Sequence, residues 1–218
     1  MTFSITARCP DTGAFGVAIS SSSIAVASRC AWAGPMGIVT TQNVTNPALG
    51  PAGLALLRQG LGAGSVLDTL LPGDPGPEWR QVAVIDSYAQ VAVRSGDRAF
   101  KESSVTFGTG FVAMGNLLSS PAVTEAMASA FENLRKADLA DRLMRALEAG
   151  LEAGGETLPV HSAGIQICHG FDWPEVNLRV DWDDAPIARL RKIWTRFRPQ
   201  RSVFIAWAQQ PWLASSDG

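Results

Sequence analysis

The chain opens with side chains that alternate between polar and apolar from Thr2 onwards. Successive residues of a strand point to opposite faces, so the pattern predicts a strand with one apolar face that begins at Thr2. Residues 10–13 have the composition of a turn, and residues 15–20 are predicted to return as the second strand of a hairpin. Residues 37–43 predict a third strand, so the chain begins as β-structure.

After the third strand, the sequence predicts two helices. Pro51 suits a first helical position and Gly60 a C-terminal stop. Ser65 and Asp68 form a variant of the capping box before a second helix, which the Pro-Gly pair at 72–73 ends. Later elements are predicted as a hairpin (79–86 and 89–94), a strand (111–116), two amphipathic helices (123–134 and 139–150), two strands (161–168 and 177–181) and a helix (187–197).

This order of elements favours an α+β fold. Blocks of strands separated by helix pairs do not suit a βαβ repeat, because hairpins imply antiparallel neighbours. Two antiparallel sheets with helices outside satisfy the pattern. We expect one domain over residues 1–198, followed by an apolar tail, 199–218, that docks on the domain or on a partner subunit.

Composition narrows the possible partners. The formal charge is −2 and only 17% of residues are charged, so the sequence lacks the net positive charge typical of proteins that bind nucleic acid. One basic run is predicted to be a solvated helix face: Arg189, Arg191, Lys192, Arg196, Arg198 and Arg201. With neither a leader nor an apolar window approaching about 20 residues, we expect a cytoplasmic protein that does not enter membranes. The low charged fraction and the Trp-bearing tail favour a homodimer.

No metal or cofactor is expected. The three cysteines have no zinc or disulfide spacing and are predicted to be buried thiols: Cys9, Cys30 and Cys168. His161 and His169 lie more than about 20 Å apart on one predicted strand, too far to share a metal. The glycines at 108–110 precede a strand and are predicted to form a turn rather than a nucleotide site.

Thr2 is the strongest catalytic candidate. A small second residue permits removal of Met1, which leaves a threonine that carries both a hydroxyl nucleophile and a free α-amine. That amine has an unperturbed pKa of about 7.7 to 8.0 and can act as a general base near neutral pH. The alternative pairs the serines at 20–23 with His161, although no nucleophile elbow surrounds them.

Short segments along the chain carry a family resemblance. They are MTFSITAR (1–8), GVAIS (16–20), GIVTTQN (37–43), NP (46–47), GPAGL (50–54), WRQV (79–82), SG (95–96), GNLL (115–118) and HSAG (161–164). In this order they resemble the bacterial family called domain of unknown function 1028, whose fold is that of the N-terminal-nucleophile hydrolases. The resemblance extends from Met1 to about Phe197.

The resemblance implies a four-layer αββα sandwich and a possible amide-bond hydrolase. Thr2 matches the nucleophile position, and Asn116, which follows Gly115, is the residue expected to hold the oxyanion. The pocket wall is expected to include Arg29, Asn43, His161 and Ser162. Proteasome-type relatives carry an aspartate and a lysine on the strands after the nucleophile, whereas residues 17–23 of this chain contain neither.

Two functions remain open from the sequence. One is an amidohydrolase that cleaves a small soluble amide, ureide or peptide-like compound. The other is a non-catalytic protein that uses the same fold to bind a small ligand or a protein partner.

Overall fold

The computed structural model describes residues 1–214, which form ten strands and seven α-helices. The strands are β1 Thr2–Arg8, β2 Phe15–Ser21, β3 Ala31–Gly34, β4 Gly37–Asn43, β5 Arg80–Asp86, β6 Val91–Ser95, β7 Ser104–Gly108, β8 Phe111–Asn116, β9 Ser162–Cys168 and β10 Val176–Val180. The helices are α1 Ala27–Cys30, α2 Leu49–Arg58, α3 Ala63–Leu70, α4 Ala122–Asn133, α5 Leu139–Glu152, α6 Pro186–Phe197 and α7 Arg201–Gln209.

The strands form two sheets. The six-stranded sheet has the order β10-β9-β2-β1-β8-β7, and the four-stranded sheet has the order β3-β4-β5-β6. Every neighbouring pair is antiparallel. Strand β1 is therefore paired on both sides and lies inside its sheet, and both its polar and its apolar side chains are buried.

Helices cover the outer face of each sheet. The apolar side chains of β1, including Phe3 and Ile5, pack against α4 and α5, while α6 packs on β9 and β10. On the other side, Val39 and Val84 pack against α2 and α3. A helix layer on each of two packed sheets is the four-layer αββα arrangement, and the predicted α+β class is confirmed.

The space between the sheets is apolar in one half and polar in the other. Side chains of β2, such as Val17 and Ile19, pack on Ile38 and Ile85 of the facing sheet. Towards the start of β1 the same layer contains Ser4, whose Oγ donates a hydrogen bond of 2.9 Å to Oε1 of Gln42. A polar interior at one end of an otherwise apolar layer marks that end as the place to look for a site.

Four elements were missed by the sequence patterns: β3, β7, α1 and α7. Strands β3 and β7 have only four and five residues and lie at sheet edges, so too few residues repeat for a period of two to be visible. Helix α1 has only four residues, fewer than are needed to show a helical stripe.

The predicted tail begins as a helix. Arg201 at the start of α7 forms ion pairs with Asp138 and Glu175 of the domain. Phe204 packs on Phe197 of α6, with ring centroids 5.6 Å apart. Within the described part of the chain, α7 therefore contacts the domain itself. Residues 215–218 of the predicted tail lie outside the described residues, and its docking on a partner subunit stays a prediction.

Most of the basic run is solvated, as predicted, because Arg189, Lys192, Arg196 and Arg198 are exposed. Arg191 forms ion pairs with Asp141 and Glu148 of α5, and Arg198 also reaches Asp141. The run is therefore partly neutralised by α5, a pairing that a one-dimensional charge pattern does not reveal.

Every described helix is too short or too polar to cross a lipid bilayer.

Candidate functional site

A row of polar residues crosses the beginning of β1. Thr2 lies opposite Asn116 of β8, and Ser21 of β2 lies opposite Ser162 of β9. Because Phe3 is paired with Ser20, the same register places Thr2 beside Ser21. Directly opposed residues of an antiparallel sheet point to the same face. The row Ser162–Ser21–Thr2–Asn116, called the polar row below, therefore faces the second sheet, as Ser4 does two residues further along β1.

Thr2 is almost completely buried, with 4% of its surface exposed. Its hydroxyl donates to the carbonyl oxygen of Met1, and the hydroxyl of Ser21 donates to the same oxygen. Two hydroxyl groups of the polar row thus converge on the Met1–Thr2 peptide.

Asn116 is completely buried and connects the polar row to the second sheet. Its Nδ2 donates to Oε1 of Gln81 over 3.2 Å, and Nε2 of Gln42 donates to the same oxygen over 2.6 Å. Gln81 in turn donates from Nε2 to the carbonyl of Gly115, which fixes its orientation. An amide nitrogen carries two hydrogens, and this contact occupies one of them. Asn116 therefore keeps a second N–H to donate, while its buried Oδ1 has no hydrogen-bond partner among the described residues.

Ser162 holds the segment that follows β2. Its Oγ donates to the carbonyl of Ser23 over 2.6 Å and accepts from the amide of Val26 over 3.1 Å. Ala25 within this segment has a positive φ of 53°, which a non-glycine residue adopts only when its surroundings enforce it. The predicted pocket residue Ser162 thus lies in the polar row, with its hydroxyl directed at this loop.

His161 is adjacent in sequence but its ring lies elsewhere. The imidazole stacks on Trp182, with ring centroids 4.3 Å apart, and its Nδ1 is 3.4 Å from the carbonyl oxygen of Asp183. In the described chain, no hydrogen bond joins this ring to a hydroxyl of residues 20–23: Ser20 donates to the carbonyl of Ser162, and Ser21 to that of Met1. The serine alternative therefore lacks the contact on which it depends.

Arg29 directly precedes Cys30, and the charge of the amino terminus acts on the Cys30 thiol. Its Nη2 donates to the carbonyl of Ile24 over 3.3 Å, and its Nη1 is 3.9 Å from Sγ of Cys30. Burial raises the pKa of the Cys30 thiol, while a hydrogen bond with Thr45 and the charges of Arg29 and the amino terminus lower it. The contacts of Arg29 and Thr45 are thus with Ile24 and Cys30, and the thiol of Cys30 is the group that senses the charge of the amino terminus.

Asn43 has a structural role in its loop. Its φ is +72°, its Nδ2 donates to the carbonyl of Trp79 over 2.6 Å, and its Oδ1 accepts from the amide of Phe100 over 3.1 Å. These bonds connect the end of β4 to the segments before β5 and before β7. Asn43 follows Gln42, so it lies at the same end of the sheets as the polar row.

Glu156 is the residue at this site that sequence reasoning missed. It is 6% exposed, its Oε2 accepts from the amide of Ser22 over 3.2 Å, and its Oε1 has no hydrogen-bond partner in the described structure. Burial raises the pKa of this carboxyl from 4.5 to about 7, although the bonds with Ser22 and the charge of the amino terminus lower it. A lone glutamate after two glycines at a helix end has no period or motif that would single it out.

The geometry can support chemistry at Thr2. The Thr2 hydroxyl bonds to the first peptide, the amide of Asn116 lies opposite Thr2 on the next strand, and the carboxyl of Glu156, with its raised pKa, bonds to Ser22 after β2. No cluster of three potential metal ligands occurs among residues 1–214.

A family model matches this chain, and one of its solved members has the same fold. The model of a family described as "Family of unknown function (DUF1028)" matches residues 2–190. The crystal structure of protein SPO2555 from Silicibacter pomeroyi, also assigned to DUF1028, superposes with a TM-score of 0.82 at 28% identity and covers 90% of this chain and 85% of that one. Anbu from Hyphomicrobium sp. strain MC1 gives a TM-score of 0.37 at 10% identity, over 99% of this chain and 98% of that one.

No curated protein matches the sequence. The family match nevertheless covers most of the chain, includes Thr2 and Asn116, and agrees with the fold of SPO2555. The chain belongs to the family of unknown function DUF1028.

Proposed function

We propose that this protein is an N-terminal-nucleophile amidohydrolase that cleaves a C–N bond in a small soluble amide, ureide or peptide-like compound. The observation that carries the proposal is the convergence of the polar row on the Met1–Thr2 peptide. Removal of Met1 leaves the Thr2 hydroxyl and a free α-amine at this point. One residue then supplies both the nucleophile and the base.

The reaction proceeds through an ester. Oγ1 of Thr2 attacks the carbonyl carbon of the substrate while the α-amine takes the hydroxyl proton. The resulting ammonium returns that proton to the leaving nitrogen as the C–N bond breaks. Water, activated by the same amine, then cleaves the ester and releases the acid product and free Thr2.

Asn116 is the proposed oxyanion donor. Its Nδ2 lies on the neighbouring strand directly across from Thr2 and is held by Gln81. A preorganised N–H aimed at developing negative charge stabilises the tetrahedral intermediate more than the substrate. Arg29 and Ser162 are proposed to border the substrate pocket, with Asn43 and His161 further out.

The test uses a panel of small amides and ureides with protein whose Met1 has been removed. Thr2→Ala is expected to abolish turnover because the nucleophile is deleted while the strand and its amine remain. Thr2→Ser is expected to retain part of it, since the hydroxyl survives and only the β-methyl that restricts the rotamer is lost. Unchanged turnover in Thr2→Ala would exclude the mechanism.

The non-catalytic alternative is separated from this proposal by the mass of the intact protein purified from its natural host. A protein that keeps Met1 has no free amine on Thr2, which favours a binding function. Loss of Met1 is the result that the hydrolase requires.

We further propose that the protein works as a homodimer in the cytoplasm. Helix α7 exposes Phe204 and Trp207, which are large apolar side chains suited to a partner subunit. The cysteines of the described chain are free and buried, which suits a reducing compartment. Sedimentation at micromolar concentration is expected to give twice the monomer mass, and a monomer would contradict the assembly.

A further inference from the structure

Glu156 spans the two segments that flank the start of β1. Its backbone forms a bridge with Leu118, and the next residue, Thr157, donates from its amide to the carbonyl of Leu117 over 3.0 Å. Both partners follow β8. Its side chain reaches the opposite side and accepts from the amide of Ser22, which follows β2. Because β1 lies between β2 and β8, this carboxyl lies across the first residues of the chain.

The carboxyl is buried with one half unpaired. Oε2 has the Ser22 amide, whereas Oε1 is buried without a hydrogen-bond partner among residues 1–214. Burying an ionised carboxylate is costly unless hydrogen bonds or an opposite charge compensate. In the unprocessed chain, the α-amine of Met1 is a cation whose charge acts on Glu156.

The other titratable group that senses the amino terminus is the thiol of Cys30, with Arg29 beside it. The amides of Leu117 and Leu118 donate to the backbone carbonyls of Lys101 and Glu102. The side chains of Lys101 and Glu102 are exposed.

We propose that Glu156 is the positioning residue of the site, whose free Oε1 binds and orients the α-amino group of Thr2 once Met1 has been removed. The catalytic role of Glu156 rests on the proposed function, whereas its contact with the amine does not. During attack the amine takes up the hydroxyl proton and becomes positively charged. A fixed carboxylate beside it stabilises that charge at the moment it develops. The proton moves only between Oγ1 and the amine, so Glu156 needs no proton of its own.

The test is a pH titration of the amine without substrate. The ¹³C chemical shifts of Thr2 Cα and Cβ, followed against pH in processed protein, report the amine midpoint. A nearby carboxylate favours the ammonium form, so Glu156→Gln is expected to lower this midpoint by about one pH unit or more. Glu152→Gln is the matched control. It removes a surface carboxylate that pairs with Arg145 on α5, and it is expected to leave the midpoint unchanged.

A second measurement uses the wild-type protein, so it does not depend on whether the variant folds. In wild-type processed protein, the carboxyl carbon of Glu156 is expected to show an inflection at the amine midpoint, because two contacting groups titrate together. In protein that keeps Met1, the Thr2 nitrogen belongs to a peptide bond and does not titrate, so any inflection of Glu156 is expected to follow the Met1 amine instead. An unchanged amine midpoint in Glu156→Gln, or no shared inflection in the wild type, overturns the inference.

These readouts are independent of turnover. If Thr2→Ala remains active, the hydrolase proposal fails while the amine titration still tests Glu156. If the amine midpoint is the same in Glu156→Gln as in the wild type, Glu156 is excluded as the partner of the amine. That result leaves the proposal that Thr2 is the nucleophile unaffected. With a substrate in hand, Glu156→Gln is expected to lower kcat more than it raises KM and to move the acidic limb of the pH profile.

Discussion

The polar row arises from individual residues that occupy one register. Thr2 and Ser21 lie on the two strands of the first hairpin, whereas Asn116 and Ser162 come from β8 and β9, which follow much later in the chain. The alternation of β1 alone predicts that Thr2 shares a face with Ser4 and Thr6. Which residues stand opposite Thr2 depends on strand order, which the sequence pattern does not give.

The effect of Asn116 on kcat is expected to be separable from any effect on substrate binding. Asn116→Ala is expected to leave substrate binding nearly unchanged and to lower kcat by about a hundredfold or more, the effect of losing one oxyanion donor. The comparison is with Ser95→Ala, which removes a more remote hydroxyl that Gln81 contacts over 3.3 Å and is expected to change kcat little. Equal losses in the two variants would assign the effect to the amide network rather than to the donor.

The raised pKa of Glu156 predicts how stability depends on pH. The folded protein holds this proton up to about pH 7, whereas the unfolded chain releases it near 4.5. The stabilisation is therefore complete below 4.5 and is lost as the pH rises through about 7. Urea unfolding across this window is expected to show a decline in the free energy of unfolding that Glu156→Gln reduces. A decline of the same size in the variant would contradict the assignment.

At the scale of elements, long periodic segments could be predicted and short edges could not. Helices α4 and α5 and strands β1, β4 and β8 follow from their patterns, because each has enough residues to repeat a period. Strands β3 and β7 form at sheet edges through their partners β4 and β8, so their pairing depends on tertiary context. The loop of Glu156 is placed by backbone hydrogen bonds with residues 117 and 119, which no local pattern encodes.

The packing of α2 on β3 depends on a glycine. A Cβ at Gly50 would lie 2.0 Å from the ring of Trp32, so Gly50→Ala forces the helix or the indole to move. Such overpacking typically costs about 1–3 kcal/mol. Gly64 in α3 has open space around it, and Gly64→Ala is expected to be neutral or to stabilise by roughly 0.4–1 kcal/mol. Thermal unfolding of both variants checks this, and similar shifts in the same direction would contradict the packing.

At the scale of the whole molecule, the two sheets place the site at the polar end of their interface. The other end is filled by apolar side chains of β2 and β5, such as Phe15 and Ile85. Fold class could be predicted from the order of hairpins and helix pairs, and the family match supports the same architecture. The substrate could not be predicted, because its recognition depends on side chains that meet only in the folded chain.

The central claim is that Thr2 becomes a nucleophile when Met1 is removed, and acylation of the first residue tests it most directly. Processed protein is treated briefly with p-nitrophenyl acetate, and mass spectrometry measures the acetylated fraction of the tryptic peptide Thr2–Arg8. The acetyl group is counted whether it stays on Oγ1 or moves to the adjacent amine. We expect acetylation of this peptide to be much faster in the wild type and in Thr2→Ser than in Thr2→Ala. Equal rates in Thr2→Ala, whose amine is intact, would show that the hydroxyl takes no part.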